Sequence, residues 1–301
     1  GVCFGVARAG GTAMVRPSAP AAVKKGLPAM KRLVHAVLPR SVVNLAWNLG
    51  ADLAELPQRV RDPRPRPWRV AHNVGGGDFY ATGAAFFTLF KEAADLAPDA
   101  CVLDIGCGAG RMTFPICAYL NADGRYVGFD IAPRALDFAR AHVRAACQVE
   151  LIHADLANAE YARRGEPAEA YRFPVEDGCV DAALATSLFS HIRPGVARRY
   201  LGEAARALRP GGRFMLTAFL VTGEDRPRLD QARLPLYRFE DDVFAADPRR
   251  PERAAAFDEA AFLSWAEAAG LTLRGPVHRG DWRAPAPTGG EFQDRLVLEK
   301  V

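Results

Sequence analysis

Val102-Leu-Asp-Ile-Gly-Cys-Gly-Ala-Gly110 is the stretch on which the reading of the fold turns. A short apolar run ending in glycines reads as a buried strand, Cys101–Ile105, and the segment Met112–Leu120 behind it reads as a helix. Glycine is needed at Gly106, Gly108 and Gly110 because the chain must turn sharply there and its backbone must pass close to a ligand with no Cβ between them. The first N–H groups of the following helix face the same crevice. A dinucleotide fingerprint, G-x-G-x-x-G, would need a third glycine where Arg111 stands. The pattern Asp-x-Gly-x-Gly-x-Gly suits a ligand with no pyrophosphate to cradle.

Outward from this stretch, strands and helices alternate. Tyr126–Ile131, Val149–Ala154, Val180–Thr186 and Phe214–Leu220 read as strands. Helices are expected over Ala84–Leu96, from Pro133 to Ala146, and over Val196–Leu208. Such alternation implies an α/β, doubly wound, mostly parallel sheet with helices on both faces. Ligands bind such sheets at the carboxyl ends of the strands. Asp130 ends the second strand, where a carboxylate can accept hydrogen bonds from both hydroxyls of a ribose. Asp155 ends the third, placing a second acceptor where an adenine amino group would lie. Residues 221–256 break the pattern with charges and prolines and are expected to form an insertion or lid. Asp258–Gly270 returns to helix, and Leu271–Val277 and Arg295–Glu299 read as closing strands.

The 301 residues are half apolar and a quarter charged, the balance of an enzyme-sized globular protein. No apolar run approaches the roughly 18 residues of a transmembrane helix. Cys3, Cys101, Cys107, Cys117, Cys147 and Cys179 form no CxxC pair, against a zinc module or disulfide framework, and a reducing, cytoplasmic setting is expected. The net charge of +4 is unevenly spread: residues 1–69 hold 12 Lys and Arg against 3 Asp and Glu, the remainder 27 against 32. A basic arm (1–70) thus precedes a mildly acidic main domain (71–301), and no broad nucleic-acid surface is implied for that domain.

Within the arm the first 13 residues read as standing outside the fold. Met30, Leu33, Val34 and Val37 form one helical stripe, and Val42, Leu45, Leu49, Leu53 and Leu56 a second between Ser41 and Pro57. Two roles are open for them: peripheral contact with a membrane or protein partner through the basic arm, or a helical lid packed on the main domain. Gln58–Trp68, with its prolines, reads as a stiff linker.

The residues quoted above closely resemble the class I S-adenosylmethionine-dependent methyltransferases over ~75–300. VLDIGCGAG is similar to their first motif, Gly128-Phe-Asp130-Ile to the second, Ala154-Asp155-Leu156 to the third and Asp181–Ser187 to the fourth. Tyr200–Gly212 resembles the stretch before their fifth strand. The resemblance implies a Rossmann-like sheet of seven strands, the last antiparallel, and S-adenosylmethionine as cofactor. It implies that Asp104 and Gly106, Cys107, Gly108 and Gly110, with Arg111, surround the methionine part, Asp130 and Ile131 the ribose, Asp155 and Leu156 the adenine, with Thr186 beside the cofactor. Gly77-Asp-Phe, Asn158–Tyr161, Ser187–His191, Trp282 and Phe292-Gln-Asp294 resemble members associated with saccharide synthesis.

His191 is the candidate base, since it follows the fourth strand on the ligand-binding face; the competing reading is a histidine bonded to backbone at a helix start. His278, Asp281 and Asp294 are weaker candidates. Tyr80, Ser187 and Trp282 are expected at the acceptor, with Phe79 and Phe189 as further aromatic walls. Cys107 reads as a small filler, not a nucleophile. No carboxylate cluster indicates a metal. An Asn/Asp-Pro-Pro-aromatic motif, as in nucleic-acid amino methylation, is missing where Thr186-Ser-Leu-Phe stands, so a small-molecule or saccharide hydroxyl is the expected acceptor and nucleic acid is not. The rival is a catalytically silent cofactor-binding scaffold that docks on a membrane or protein through its arm.

Overall fold

The computed structural model describes residues 40–70, 77–158 and 165–301. They fall into two units, divided between Arg61 and Asp62. The first stripe expected in the arm lies outside the described residues. In the first unit, α1 spans Arg40–Arg61 and runs through Pro57, where the sequence reading ended it. Proline forfeits one backbone bond; beyond it, Arg59 reaches back one turn and two turns to pair with Glu55 and Asp52. Leu45, Leu49, Leu53, Leu56 and Val60, one face of this helix, are exposed, while Asp52 is buried.

In the second unit, Asp62–Trp68 does not form a detached linker. Arg66 is buried between Asp62 and Asp78, and Asp78 also caps α2 (Phe79–Ala94) by accepting the Ala81 N–H. Helix α2 therefore begins five residues earlier than the apolar periodicity suggests.

The main sheet has seven strands in the order β10-β11-β5-β4-β1-β2-β3. They are β1 (Cys101–Ile105), β2 (Arg125–Asp130), β3 (Gln148–His153), β4 (Val180–Ala185), β5 (Leu208–Ala218), β10 (Leu271–Leu273) and β11 (Asp294–Lys300). Strands β1 to β5 are mutually parallel, and β11 runs antiparallel between β5 and β10. Asp104 stands beside Gly128 on one side and Leu184 on the other, so the carboxyl ends of β1, β2 and β4 share one edge. Helices α3 (Thr113–Tyr119), α4 (Pro133–His142) and α5 (Pro194–Ala207) connect these strands, the last two opened by prolines that need no N–H partner in a first turn. Two apolar clusters lie against the sheet: one around Leu103, Phe129, Ala183 and Phe214, the other around Val102, Tyr126, Ala182 and Met215. Neighbouring residues of one strand divide between them, as pleating requires.

Residues 221–256, expected as an insertion or lid, carry regular structure of their own. They build most of a second sheet, β6 (Leu220–Val221), β9 (Ala255–Asp258), β8 (Val243–Ala245) and β7 (Tyr237–Glu240), followed by α6 (Glu259–Ala268). Strands of two to four residues show too little alternation to be read from sequence. Phe219, Val221, Phe244 and Trp282 form the core beside this sheet.

Asp294 anchors the junction of the two sheets. Wholly buried, its carboxylate accepts from the Leu220 and Gly280 N–H groups, Trp282 Nε1 (2.8 Å) and the Arg283 guanidinium (2.7 Å). That excludes the role of base considered for it. Asp294→Ala is expected to destabilise the fold by about 3–5 kcal/mol, since the Leu220 and Gly280 N–H groups and Trp282 Nε1 lose their buried acceptor while Arg283 is left with Asp225 as its carboxylate partner; urea denaturation measures the change.

Candidate functional site

A cleft of about 500 Å³ opens at the carboxyl edge of β1, β2 and β4. Its floor is the glycine loop. Gly106 and Cys107 donate backbone N–H bonds to Phe129 O, tying the loop to β2. Gly106, Gly108 and Gly110 all have left-handed backbones. At Gly110 a Cβ would press within 3.3 Å of Phe114 and Ala139, so glycine lets α4 approach. At Gly108 a Cβ would meet nothing nearer than the Asp130 carboxylate, 3.9 Å away, and would occupy the cradle itself.

Asp130 lines the cleft. Its Oδ2 accepts from Gly108 N–H and its Oδ1 from Ala132 N–H, both at 2.8 Å. Burial raises its pKa, and these backbone donors oppose the rise. Each oxygen keeps a second lone pair for a ligand hydroxyl. Asp104 is buried below the loop, outside the cleft lining; Tyr126 donates to its Oδ2 at 2.6 Å, while Oδ1 is buried with no hydrogen-bond partner. A buried orphan acceptor beneath a glycine cradle, with a ribose-type carboxylate beside it, fits an adenosyl ligand carrying a cationic group.

Burial raises Asp104 from the ordinary 3.8 to about 7, with the Tyr126 bond opposing and the Asp130 charge adding. The folded protein therefore retains a proton that the unfolded chain releases near pH 4. Stability accordingly falls as pH rises from about 4 to about 7, then levels. Asp104→Asn is expected to flatten that slope, narrowing the difference in melting temperature between pH 5 and pH 8 by about 5 °C, as calorimetric scans would record.

The cleft brings together many of the residues expected from sequence. Gly106, Cys107, Gly108, Arg111, Ile131, Leu156, Thr186, Ser187 and Phe79 line it with Asp130. The Cys107 thiol is pushed well above its usual pKa by burial, an inert filler. Gly110 supports the loop from behind. Asp155 is exposed and outside the lining. Tyr80 is outside it too: its hydroxyl donates to Pro65 O and Arg64 stacks on its ring. Trp282 is wholly buried, its Nε1 committed to Asp294, and Phe189 is likewise a core residue. These aromatic expectations are corrected: a buried core consumes large rings before a cleft does. Asp281 pairs with Arg233, and His278 is exposed beyond the lining.

His191 lies in the lining, at the end of the 3-10 turn Phe189–His191. Its Nδ1 is 3.0 Å from Glu252 O. A carbonyl only accepts, so Nδ1 carries the proton of the neutral ring and Nε2 the lone pair. Both readings of this histidine thus meet, a backbone bond and a place in the cleft. Glu252, in the 3-10 turn Pro251–Arg253, also pairs with Arg193 at 2.9 Å. Glu252 and Arg193 were missed as site residues, one lying far from the sheet motifs in sequence and the other beside the stronger His191 signal, and Gln293 was read only as part of Phe292-Gln-Asp294, with no role of its own. Among the described residues no group of side chains is suited to a metal ion.

Residues 102–212 match a family described as "Methyltransferase domain". The chain is similar to tRNA N(3)-methylcytidine methyltransferase of Drosophila melanogaster, at 27% identity over 191 residues, covering 60% of this chain and 53% of that protein. It is similar to nocamycin O-methyltransferase of Saccharothrix syringae, at 32% identity over 145 residues and 47% of each. The chain spans about half the length of these curated relatives. Among solved structures, the PH0226 protein of Pyrococcus horikoshii OT3 shares the fold, with a TM-score of 0.52 at 16% identity, covering 77% of this chain and 96% of that one.

Proposed function

We propose that the chain is a class I S-adenosylmethionine-dependent methyltransferase that methylates a hydroxyl of a small-molecule or saccharide acceptor, with His191 as general base; the methyltransferase-domain match over residues 102–212 supports the class. The observation that carries this reading is the pairing of His191 Nδ1 with Glu252 O inside the cleft that holds the glycine loop and Asp130. When bound, S-adenosylmethionine supplies a methyl group on a positively charged sulfur. Asp130 and the loop around Gly108 would hold its ribose, Ile131 and Leu156 would flank the nucleoside, and Asp104 and Arg111 would lie towards its amino-acid end. Thr186 and Ser187, at the end of β4, would border the acceptor. His191 Nε2 would take the proton of the acceptor hydroxyl whose oxygen receives the methyl group, the sulfur–methyl bonding pair staying on sulfur as a neutral thioether. Alignment and excluded water supply most of the acceleration, and a positioned base adds about 10²–10⁴-fold.

The test is transfer of labelled methyl to monosaccharides, phenols and aliphatic hydroxy acids, with tRNA and amines alongside. Labelled oxygen supports the reading; label only on nitrogen or nucleic acid sinks it. Nucleic acid is kept in the panel because a relative is named for tRNA methylation, and the absent motif alone does not exclude it. A second reading, a silent scaffold, is favoured by the exposed leucine face of α1. Among the described residues no helix is long and apolar enough to cross a membrane, so such a scaffold would bind vesicles peripherally, without transferring label.

A further inference from the structure

We propose that Gln293 is a positioning residue for methyl transfer, closing a ring of four hydrogen bonds that holds Ser187 and sets the turn presenting His191. The inference rests on the reading of His191 as base.

The ring begins and ends on one residue. Ser187 N–H donates to Thr217 Oγ1 at 2.7 Å, and Thr217 Oγ1 donates to Gln293 Oε1 at 2.7 Å. Gln293 Nε2 donates to Ser190 Oγ at 2.9 Å, and Ser190 Oγ donates to Ser187 O at 2.9 Å. A backbone N–H can only donate and a backbone carbonyl can only accept, so these two ends dictate the direction of every bond between them. The amide of Gln293 is thereby oriented: its oxygen faces Thr217 and its nitrogen faces Ser190. Glutamine supplies the acceptor and the donor from one side-chain end. A carboxylate would lack the donor, and a thioether would lack the donor and offer only a weak acceptor.

The ring has something to hold. Ser187 has φ +60°, a left-handed conformation uncommon for a residue with a Cβ. Such backbone persists where surrounding structure over-determines it, and it clusters at functional sites. Here Thr217 from β5 and Gln293 from just before β11 supply the constraint, and Ser190 and Thr217 are buried, so water does not stand in for either. The turn so fixed continues to His191, whose N–H donates to Leu188 O. Asn158 Nδ2 donates to the backbone His191 O and Glu252 O takes Nδ1, so the residue is held at its backbone and at one ring nitrogen. Ser187, His191 and Gln293 all line the cleft.

The test is a double-mutant cycle on turnover with the best acceptor of the panel above and S-adenosylmethionine as donor. Gln293→Met is expected to lower kcat about 10–100-fold, as small misplacements of reacting groups do, with cofactor Kd within twofold. Glycine adopts positive φ without help, so in a Ser187→Gly background the same Gln293→Met change should cost at least fivefold less. Thr217→Val, which cuts the ring at another link, should reproduce the loss without adding to that of Gln293→Met. A kcat within twofold of wild type for Gln293→Met, an equal loss in both Ser187 backgrounds, or additive losses with Thr217→Val overturns the proposal. The reading of His191 fails separately, when His191→Ala keeps wild-type kcat or the wild-type protein labels no hydroxyl.

Discussion

Asp130→Ala is expected to weaken S-adenosylmethionine binding by about 10²–10³-fold, with the fold intact. The carboxylate does two things at once in this structure. It accepts from Gly108 and Ala132 N–H and so fixes the loop and the start of α4, and it leaves one lone pair on each oxygen towards the cleft. Alanine removes both ligand-facing acceptors and leaves two backbone donors to water. Hydrogen bonds to a charged group are worth about 1.5–3 kcal/mol each, so two of them account for the expected range. Asp130 contributes little to the apolar core, and circular dichroism should stay unchanged. Titration calorimetry with the cofactor or its demethylated product checks this, and an affinity within threefold of wild type rejects the assigned role.

The second large effect is on turnover. His191→Ala should reduce kcat by about 10²–10⁴-fold, the usual contribution of a positioned base, while cofactor Kd stays within twofold. The separation follows from the site: the imidazole bonds Glu252 O, whereas the glycine loop is tied to Phe129 O of β2 and to Asp130, bonds in which His191 takes no part. His191→Gln, which can still bond Glu252 O but offers no basic nitrogen, should behave like alanine. Full activity in that variant would reduce the histidine to a spacer.

Much of this site was legible because its chemistry is written in local sequence. Gly106–Gly110 and Asp130 follow strand ends, and strand ends are found by apolar runs that stop. The parallel, helix-wrapped sheet followed from β-α alternation for the same reason, whereas its seven strands with the last antiparallel were implied only by the family resemblance. The second sheet was not legible, since β6, β8 and β9 are too short to show a period. Trp282 and Asp294 looked like site residues because both fit the resemblance to saccharide-associated members, yet what they satisfy is each other. Glu252 and Gln293 carry no local signal: one acts through its backbone oxygen and the other through partners 76 and 103 residues away. Tertiary pairing of that kind has no period to read.

The placement of β11 between β5 and β10 has a kinetic corollary. Both flanking strands are made first, so a growing chain on the ribosome must keep a slot open until residues 294–300 emerge. Gln293 and Asp294 arrive with that last insertion, one finishing the turn that holds His191 and the other locking the two sheets together. Folding and competence should therefore appear in a single late step, governed by distant pairings that form slowly, and nascent chains stalled before β11 should show neither protease resistance nor turnover.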